Sequence, residues 1–263
     1  MSDNSRAIVP VVQRGVVVSV TRQITITEKL LKRIQSVHSL PAPAVYVPQN
    51  GGNEFPIQNK RDLKPDQTTT TEWLNKSFEL QDKGDWPGLI THTIRWTQAQ
   101  PEYFYAWNLL GKAYYNTKQY AKAIEAFQQV IQINPKYADA WNNLGNACVA
   151  DNTWHLENDS DKRLEQLANA IEVYQQAIRI NPDFPASLLQ LGNTNSDTAQ
   201  YIKAIKAYQE AIRINPEHTS TWFNLGIAYK LNGQTDKVME VYRRLETLDS
   251  DSANKFFNKF VMP

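Results

Sequence analysis

The amino-acid sequence predicts an all-α solenoid of five helix–turn–helix units with a C-terminal capping helix, preceded by a small β/α arm. Three observations carry this reading. Trp73, Trp107 and Trp141 stand 34 residues apart in turn. Prolines keep the same step, from Pro101 to Pro135 and from Pro182 to Pro216, and the longer gap of 47 between Pro135 and Pro182 is one step lengthened by 13 residues. Within a period the apolar residues recur at i, i+3, i+4 and i+7, the stripe of an amphipathic helix. Trp222, one long and one ordinary step beyond Trp141, brings four of the seven tryptophans to a single place in the repeat. Glycine, 10 in 263 residues, is scarce enough to favour helix.

Taken in order, residues 1–40 read as the arm. Val16, Val18, Val20 and Ile24 at even spacing suit a strand or hairpin. Thr25 and Glu28 have the spacing of a capping box, opening a short helix that carries Leu30, Leu31, Ile34 and Val37. So short a segment buries too little surface to be secure alone. Residues 41–69 read as a linker, marked by Pro41, Pro43, Pro48, Pro56, Pro65, Gly51, Gly52 and a threonine run from Thr68.

The array takes residues 70–252, in units 70–103, 104–137, 138–184, 185–218 and 219–252. The first is degenerate, keeping Trp73, Gly84, Trp86 and Pro101. The second shows the pattern in full, with Trp107, Leu110, Gly111, Tyr114, Ala123, Phe127 and Pro135 at positions 4, 7, 8, 11, 20, 24 and 32. The third opens as Trp141, Leu144, Gly145 and closes as Ala170, Tyr174, Ala177, Pro182. Its insertion lies between Ala150 and about Leu164, where Asp159 or Ser160 is placed to cap a lengthened second helix with Leu164, Leu167, Ile171, Tyr174 and Ile178 on one face. Trp154 and His155 fall in the connecting loop, where the tryptophan either folds back on its own unit or anchors a partner. The fourth unit keeps Leu188, Leu191, Gly192, Ala204 and Tyr208; the fifth keeps Trp222, Leu225, Gly226, Tyr229 and Tyr242. Beyond it, Asp251 or Ser252 is placed to cap a helix over 253–263, whose Ala253, Phe256, Phe257 and Phe260 form a face that covers the last unit. Glycine at position 8 and alanine at position 20 let the two helices of a unit approach closely. Proline at 32 ends the second helix, having no N–H to donate.

This pattern resembles the tetratricopeptide repeat (TPR) over Thr70 to Ser252, roughly 70% of the chain. The resemblance implies a right-handed superhelix that serves as a binding scaffold, with the first helices lining its concave surface. If positions 4, 7, 8 and 11 are buried, positions 5, 6, 9 and 12 face the groove. Asn108 and Asn142 stand at position 5, Asn143, Gln190 and Asn224 at position 6, and Lys112, Asn146 and Asn193 at position 9. An amide donates and accepts together, matching a peptide backbone without reading its sequence. In some members a comparable asparagine ladder holds peptide backbone, and this row is similar, interrupted at Leu109. The same amides suit bonds within and between units, so both readings stand open. Around the polar middle the groove reads apolar near Leu74, Phe78, Phe223 and Ile227. Chaperone-binding members grip a carboxylate with lysine at position 5; here Asn108 and Lys112 invert the pair, and Ala186 and Gln190 occupy the expected basic sites.

Reactive groups do not converge. His38, His92, His155 and His218 show no metal-ligand spacing. The single cysteine, Cys148, sits at position 11 and reads as core filler. Glu157, Asp159 and Asp161 lack the glycine and terminal glutamate of a calcium loop. No catalytic residue, cofactor or metal site is expected, and the chain reads as non-enzymatic. With 28 basic and 27 acidic side chains, net +1, a nucleic-acid or anionic-lipid partner is not expected. Residues 1–68 carry nine basic and five acidic side chains, an excess of +4, which leaves −3 for the rest. No secretory signal and no apolar run near the ~20 residues of a membrane span is present, so a cytoplasmic location is expected. The expected partner is a protein or peptide segment in the concave groove. A rival reading is a regulatory or adaptor subunit whose N-terminal arm docks a catalytic signalling partner.

Overall fold

The structure, a computed structural model, describes residues 69–151 and 160–261. The arm, all of the linker before Thr69, and the loop with Trp154 and His155 lie outside the described residues. Eleven helices are described: α1 Thr70–Asp82, α2 Trp86–Ala99, α3 Phe104–Asn116, α4 Tyr120–Ile133, α5 Ala138–Ala150, α6 Ser160–Ile180, α7 Pro185–Asp197, α8 Tyr201–Ile214, α9 Thr219–Leu231, α10 Thr235–Leu248 and α11 Ser250–Phe256.

Local sequence sets the ends. Thr69 and Glu72 form a reciprocal capping box at the start of α1, in which the Glu72 carboxylate accepts from the Thr69 amide at 2.7 Å. The turn inside a unit needs one left-handed residue at position 15. Gly84 (φ 67°) and Gly233 (φ 76°) supply it without strain, whereas Lys118 (φ 61°) and Ala199 (φ 56°) adopt it at a cost. The next amide closes the helix end, as Gln119 N–H donates to the Tyr114 carbonyl at 2.8 Å and Gln200 N–H to that of Asn195 at 2.8 Å.

The helices pack as consecutive pairs, α1–α2 through α9–α10, and each second helix packs on the first helix of the next unit. The first helices α3, α5, α7 and α9 also touch in succession, and no comparable contact joins successive second helices among the described residues. The first helices therefore occupy the inner side of the array.

Burial keeps Leu110, Leu144 and Leu225 at position 7 and the glycines at position 8 inside, as expected, and corrects the rest of the helical face read from the sequence. The residues that vanish at the unit junctions are small: Ala106, Ala140, Ser187 and Thr221 at position 3, and Ala113, Ala147, Thr194 and Ala228 at position 10. Trp107, Trp141 and Trp222 at position 4 are only half-buried. Each donates its Nε1–H to the carbonyl of the proline six residues earlier, at 2.8, 2.9 and 2.8 Å from Pro101, Pro135 and Pro216. The matching 34-residue steps of tryptophan and proline are thus two ends of one bond between neighbouring units. Trp73 differs: it is buried and stacked on Trp96 with centroids 6.0 Å apart, and its Nε1 has no partner among the described residues.

Position 8 glycines lie under aromatic rings. A Cβ there would come within 2.6 Å of Phe127 at Gly111, 2.5 Å of Tyr174 at Gly145 and 2.3 Å of Tyr208 at Gly192. In the fifth unit the ring is not Tyr242, the counterpart at position 24; it is Phe256 from α11. That helix begins at Ser250, two or three residues before the start expected, because the Asp249 carboxylate accepts from the amides of Asp251 and Ser252. It continues as a π-helical turn, Phe257–Val261. Phe256 and Phe260 meet Phe223 edge-on at 5.4 and 5.9 Å, so Phe223 is partly covered by the cap and lines a cleft beside Asn224, Asp249 and Ser252.

The insertion lengthens α6 to 21 residues, against 13 in α5. At 1.5 Å per residue its N-terminal turns overrun the partner helix. Leu164 is accordingly exposed, and the buried face is Leu167, Ala170, Val173, Tyr174 and Ala177, with Ile171 and Ile178 half-buried.

Candidate functional site

The inner faces of α3, α5, α7 and α9 bring the amide side chains into one row, but not all of them into the open. Asn108 is fully buried and Asn142 is 8% exposed. Position 5 therefore turns into the junction between units instead of facing a groove, because the close approach of the first helices encloses it. Asn142 Oδ1 accepts from the Ser187 hydroxyl at 3.0 Å, and Asn108 Oδ1 accepts from Asn143 Nδ2 at 3.3 Å. Asn224 Nδ2 donates to Asn193 Oδ1 at 2.9 Å. A side-chain bond between the first helices thus crosses each junction from the second unit to the fifth.

Position 9 follows a second rule, invisible in either helix alone. Tyr174 donates its hydroxyl to Asn146 Oδ1 at 2.8 Å, and Tyr208 donates to Asn193 Oδ1 at 2.8 Å. Burial pushes both phenols well above their ordinary pKa range, so each is a donor at neutral pH. In the second unit position 9 is Lys112, which offers no acceptor, and position 24 is Phe127, which has no hydroxyl. Asparagine with tyrosine, and lysine with phenylalanine, is the signal in the sequence that finds this pairing.

The half-buried members left on the inner surface are Lys112, Asn143, Asn146, Gln190, Asn193 and Asn224. Asn193 is the most engaged, since its Oδ1 accepts twice and its Nδ2 also donates to Gln190 Oε1 at 3.2 Å. The ammonium of Lys112 and the Nδ2 group of Asn146 have no partner among the described residues. Both line a cleft of about 70 Å³ between α3 and α5, with Tyr115, Asn116 and Asn143 beside them and Phe127 as its floor. Leu109 is buried, which accounts for the interruption of the row there. At the first unit Phe78 is 45% exposed and leaves an apolar end.

Elsewhere the chemistry is quiet. Cys148 packs against the core around Phe127 and Leu144, and burial pushes its thiol up to about 12. Among the described residues no group of histidine, cysteine and acidic side chains could hold a metal ion, and no helix is long and apolar enough to cross a membrane.

Comparison with known families matches a TPR repeat at residues 111–151, 159–198 and 200–233, and a tetratricopeptide repeat at residues 219–252. The chain is a tetratricopeptide repeat protein. No curated protein matches this TPR protein by sequence. Solved structures agree with its fold. MamA from Desulfovibrio magneticus is 18% identical with a TM-score of 0.59, covering 69% of this chain and 95% of its own. TTC0263, a thermophilic TPR protein of Thermus thermophilus, is 19% identical with a TM-score of 0.57, covering 74% and 100%. YrrB, described as a TPR protein with an unusual peptide-binding site, is 16% identical with a TM-score of 0.56, covering 71% and 91%. At these identities the likeness shows the fold alone.

Proposed function

We propose that this TPR protein is a non-enzymatic interaction scaffold that binds an extended segment of a partner protein along the inner faces of α3, α5, α7 and α9. The observation that carries the reading is the row of half-buried amides. Asn143, Asn146, Gln190 and Asn224 each spend one polar atom inside the chain and keep another without a partner among the described residues. Internal bonds fix how each amide is turned, so the free groups are held ready at little entropic cost. The groups left over are acceptors on Asn143 and Asn224 and donors on Asn146 and Gln190, the two kinds that an extended backbone requires. That a structural neighbour, YrrB, is described as having a peptide-binding site is in keeping with this use of the fold.

Display selection tests it. The full chain, immobilised, is presented with a phage-displayed random dodecapeptide library, and a recovered peptide is labelled for fluorescence anisotropy. Gln190→Ala with Asn224→Ala is expected to weaken binding about tenfold while the helical circular dichroism is kept. Recovery of no peptide, or binding untouched by that double substitution, would overturn the reading.

A further inference from the structure

The units are copies of one another, so a place where one departs from its siblings in two residues at once is informative. In the third and fourth units the position 9 side chain is occupied: Tyr174 holds Asn146 and Tyr208 holds Asn193. In the second unit both members change together, to Lys112 and Phe127. A tyrosine at 127 would carry a hydroxyl to the end of a lysine that cannot accept its proton. Phenylalanine removes that hydroxyl, and half-buried Lys112 lines the same cleft as Phe127 without an acidic partner among the described residues. The neighbouring amide is equally constrained. Tyr174 donates to Oδ1 of Asn146, which leaves Nδ2 of this cleft-lining amide as a donor without a partner among the described residues. Asn143 Nδ2 is committed to Asn108 and Asn116 Nδ2 to the carbonyl of Lys112 at 2.8 Å. The cleft therefore presents a cation and an amide donor whose needs the described residues do not meet.

We propose that the cleft between α3 and α5 is a subsite for one acidic side chain of the bound peptide, its carboxylate held by Lys112 and Asn146. This rests on the proposed peptide-binding role and adds to it a preference that backbone recognition cannot provide. A carboxylate answers both groups with charge-assisted bonds, in a half-buried site where they outweigh the exposed kind. The later junctions cannot offer the same, because position 9 there is Asn146, Asn193 and Ile227, with no cation among them. The acidic residue of the peptide is thus read at one end of the row, which gives the ligand a register and a direction.

The test uses the full chain, the wild type and Lys112→Met, each selecting from the random dodecapeptide library described above. Methionine is tolerated at a position where a sibling unit has isoleucine, and a thermal melt confirms folding. The expected result is enrichment of aspartate or glutamate at one fixed place among wild-type peptides, lost with Lys112→Met although peptides are still recovered. For a synthetic wild-type peptide, Glu→Gln at that place is expected to weaken binding about tenfold, and amidation of its C-terminus to change it little. Tyr174→Phe, which frees the Asn146 amide to turn, is expected to lower affinity about threefold for the glutamate peptide and not for its glutamine counterpart. Peptides recovered by both proteins with no acidic preference would overturn the subsite and leave the scaffold reading standing. Loss on amidation instead of on Glu→Gln would assign the carboxylate to a chain end, which also overturns it. No peptide recovered by the wild type would overturn both.

Discussion

The ring of Phe256 lies over Gly226, in the place that Phe127, Tyr174 and Tyr208 fill over the glycines of the three preceding units. Tyr242, the fifth unit's own candidate, turns outward, donates to Glu246 at 2.6 Å and packs on Phe257 with centroids 5.0 Å apart. The capping helix therefore does more than shield a terminal face: it completes the packing of the unit it caps. Phe256→Ala is expected to destabilise the array by about 3–5 kcal/mol, the range for a fully buried aromatic cut to alanine. Tyr242→Ala is expected to cost much less. Urea unfolding followed by circular dichroism compares the two, and equal losses would place the essential ring on the wrong residue.

The left-handed turn residue gives a prediction of opposite sign. Ala199 and Lys118 hold φ near +60°, where glycine stands in two sibling units. Ala199→Gly is expected to raise stability by about 1 kcal/mol, and Gly233→Ala to lower it by a similar amount. Shifts in urea midpoint at unchanged slope read this directly.

Asn108 separates a structural amide from a binding one. Its Nδ2 is buried without a partner, which costs about 1–3 kcal/mol, against roughly 1 kcal/mol gained in the bond from Asn143. Leu74 and Leu189 occupy the same position in sibling units. Asn108→Leu is therefore expected to leave stability unchanged or raise it by about 1 kcal/mol. A loss beyond about 2 kcal/mol in urea unfolding would show that the amide is satisfied in solution.

Acid should loosen the cap before it loosens the array. The hydroxyl and amide of Ser252 hold the Asp249 carboxyl below its ordinary value. Stability from a depressed carboxylate is complete above the ordinary pKa of about 4 and is lost as pH falls through the lower folded value. The melting temperatures of wild type and Asp249→Ala should thus differ by a constant amount above pH ~5 and converge below pH ~4. A gap independent of pH would mean that the side chain does not act as a charged cap.

Much of this molecule is legible in the sequence because a repeat averages away local ambiguity. The 34-residue steps of tryptophan and proline place the unit edges, and alanine at position 20 marks the close approach, as Ala123, Ala170 and Ala204 show by their complete burial. The face of the first helix is legible only in part: Leu110 and Leu144 are buried as expected, but the tryptophans dominate the pattern while Ala106 and Ala140 are the residues lost at the junctions. Large side chains reach sideways from a helix; small ones permit the approach itself. Tyr242 matches Phe127 by position alone, and nothing within the fifth unit signals that Phe256 takes the ring's place. The candidate site splits in the same way. Which amides face inward follows from the repeat, but Asn108 and Asn142 are spent between units, a fact of helix spacing that periodicity does not encode.

The central claim, that the inner faces of the first helices carry a peptide, is tested most directly by the side-chain amide signals of the ¹⁵N-labelled full chain during titration with a display-selected peptide. The account predicts that the NH2 resonances of Asn143, Asn146, Gln190 and Asn224 shift together and saturate at one equivalent, with the second helices unaffected. Shifts confined to α4, α6, α8 and α10, or to residues 1–68, with those four side chains silent, would contradict it.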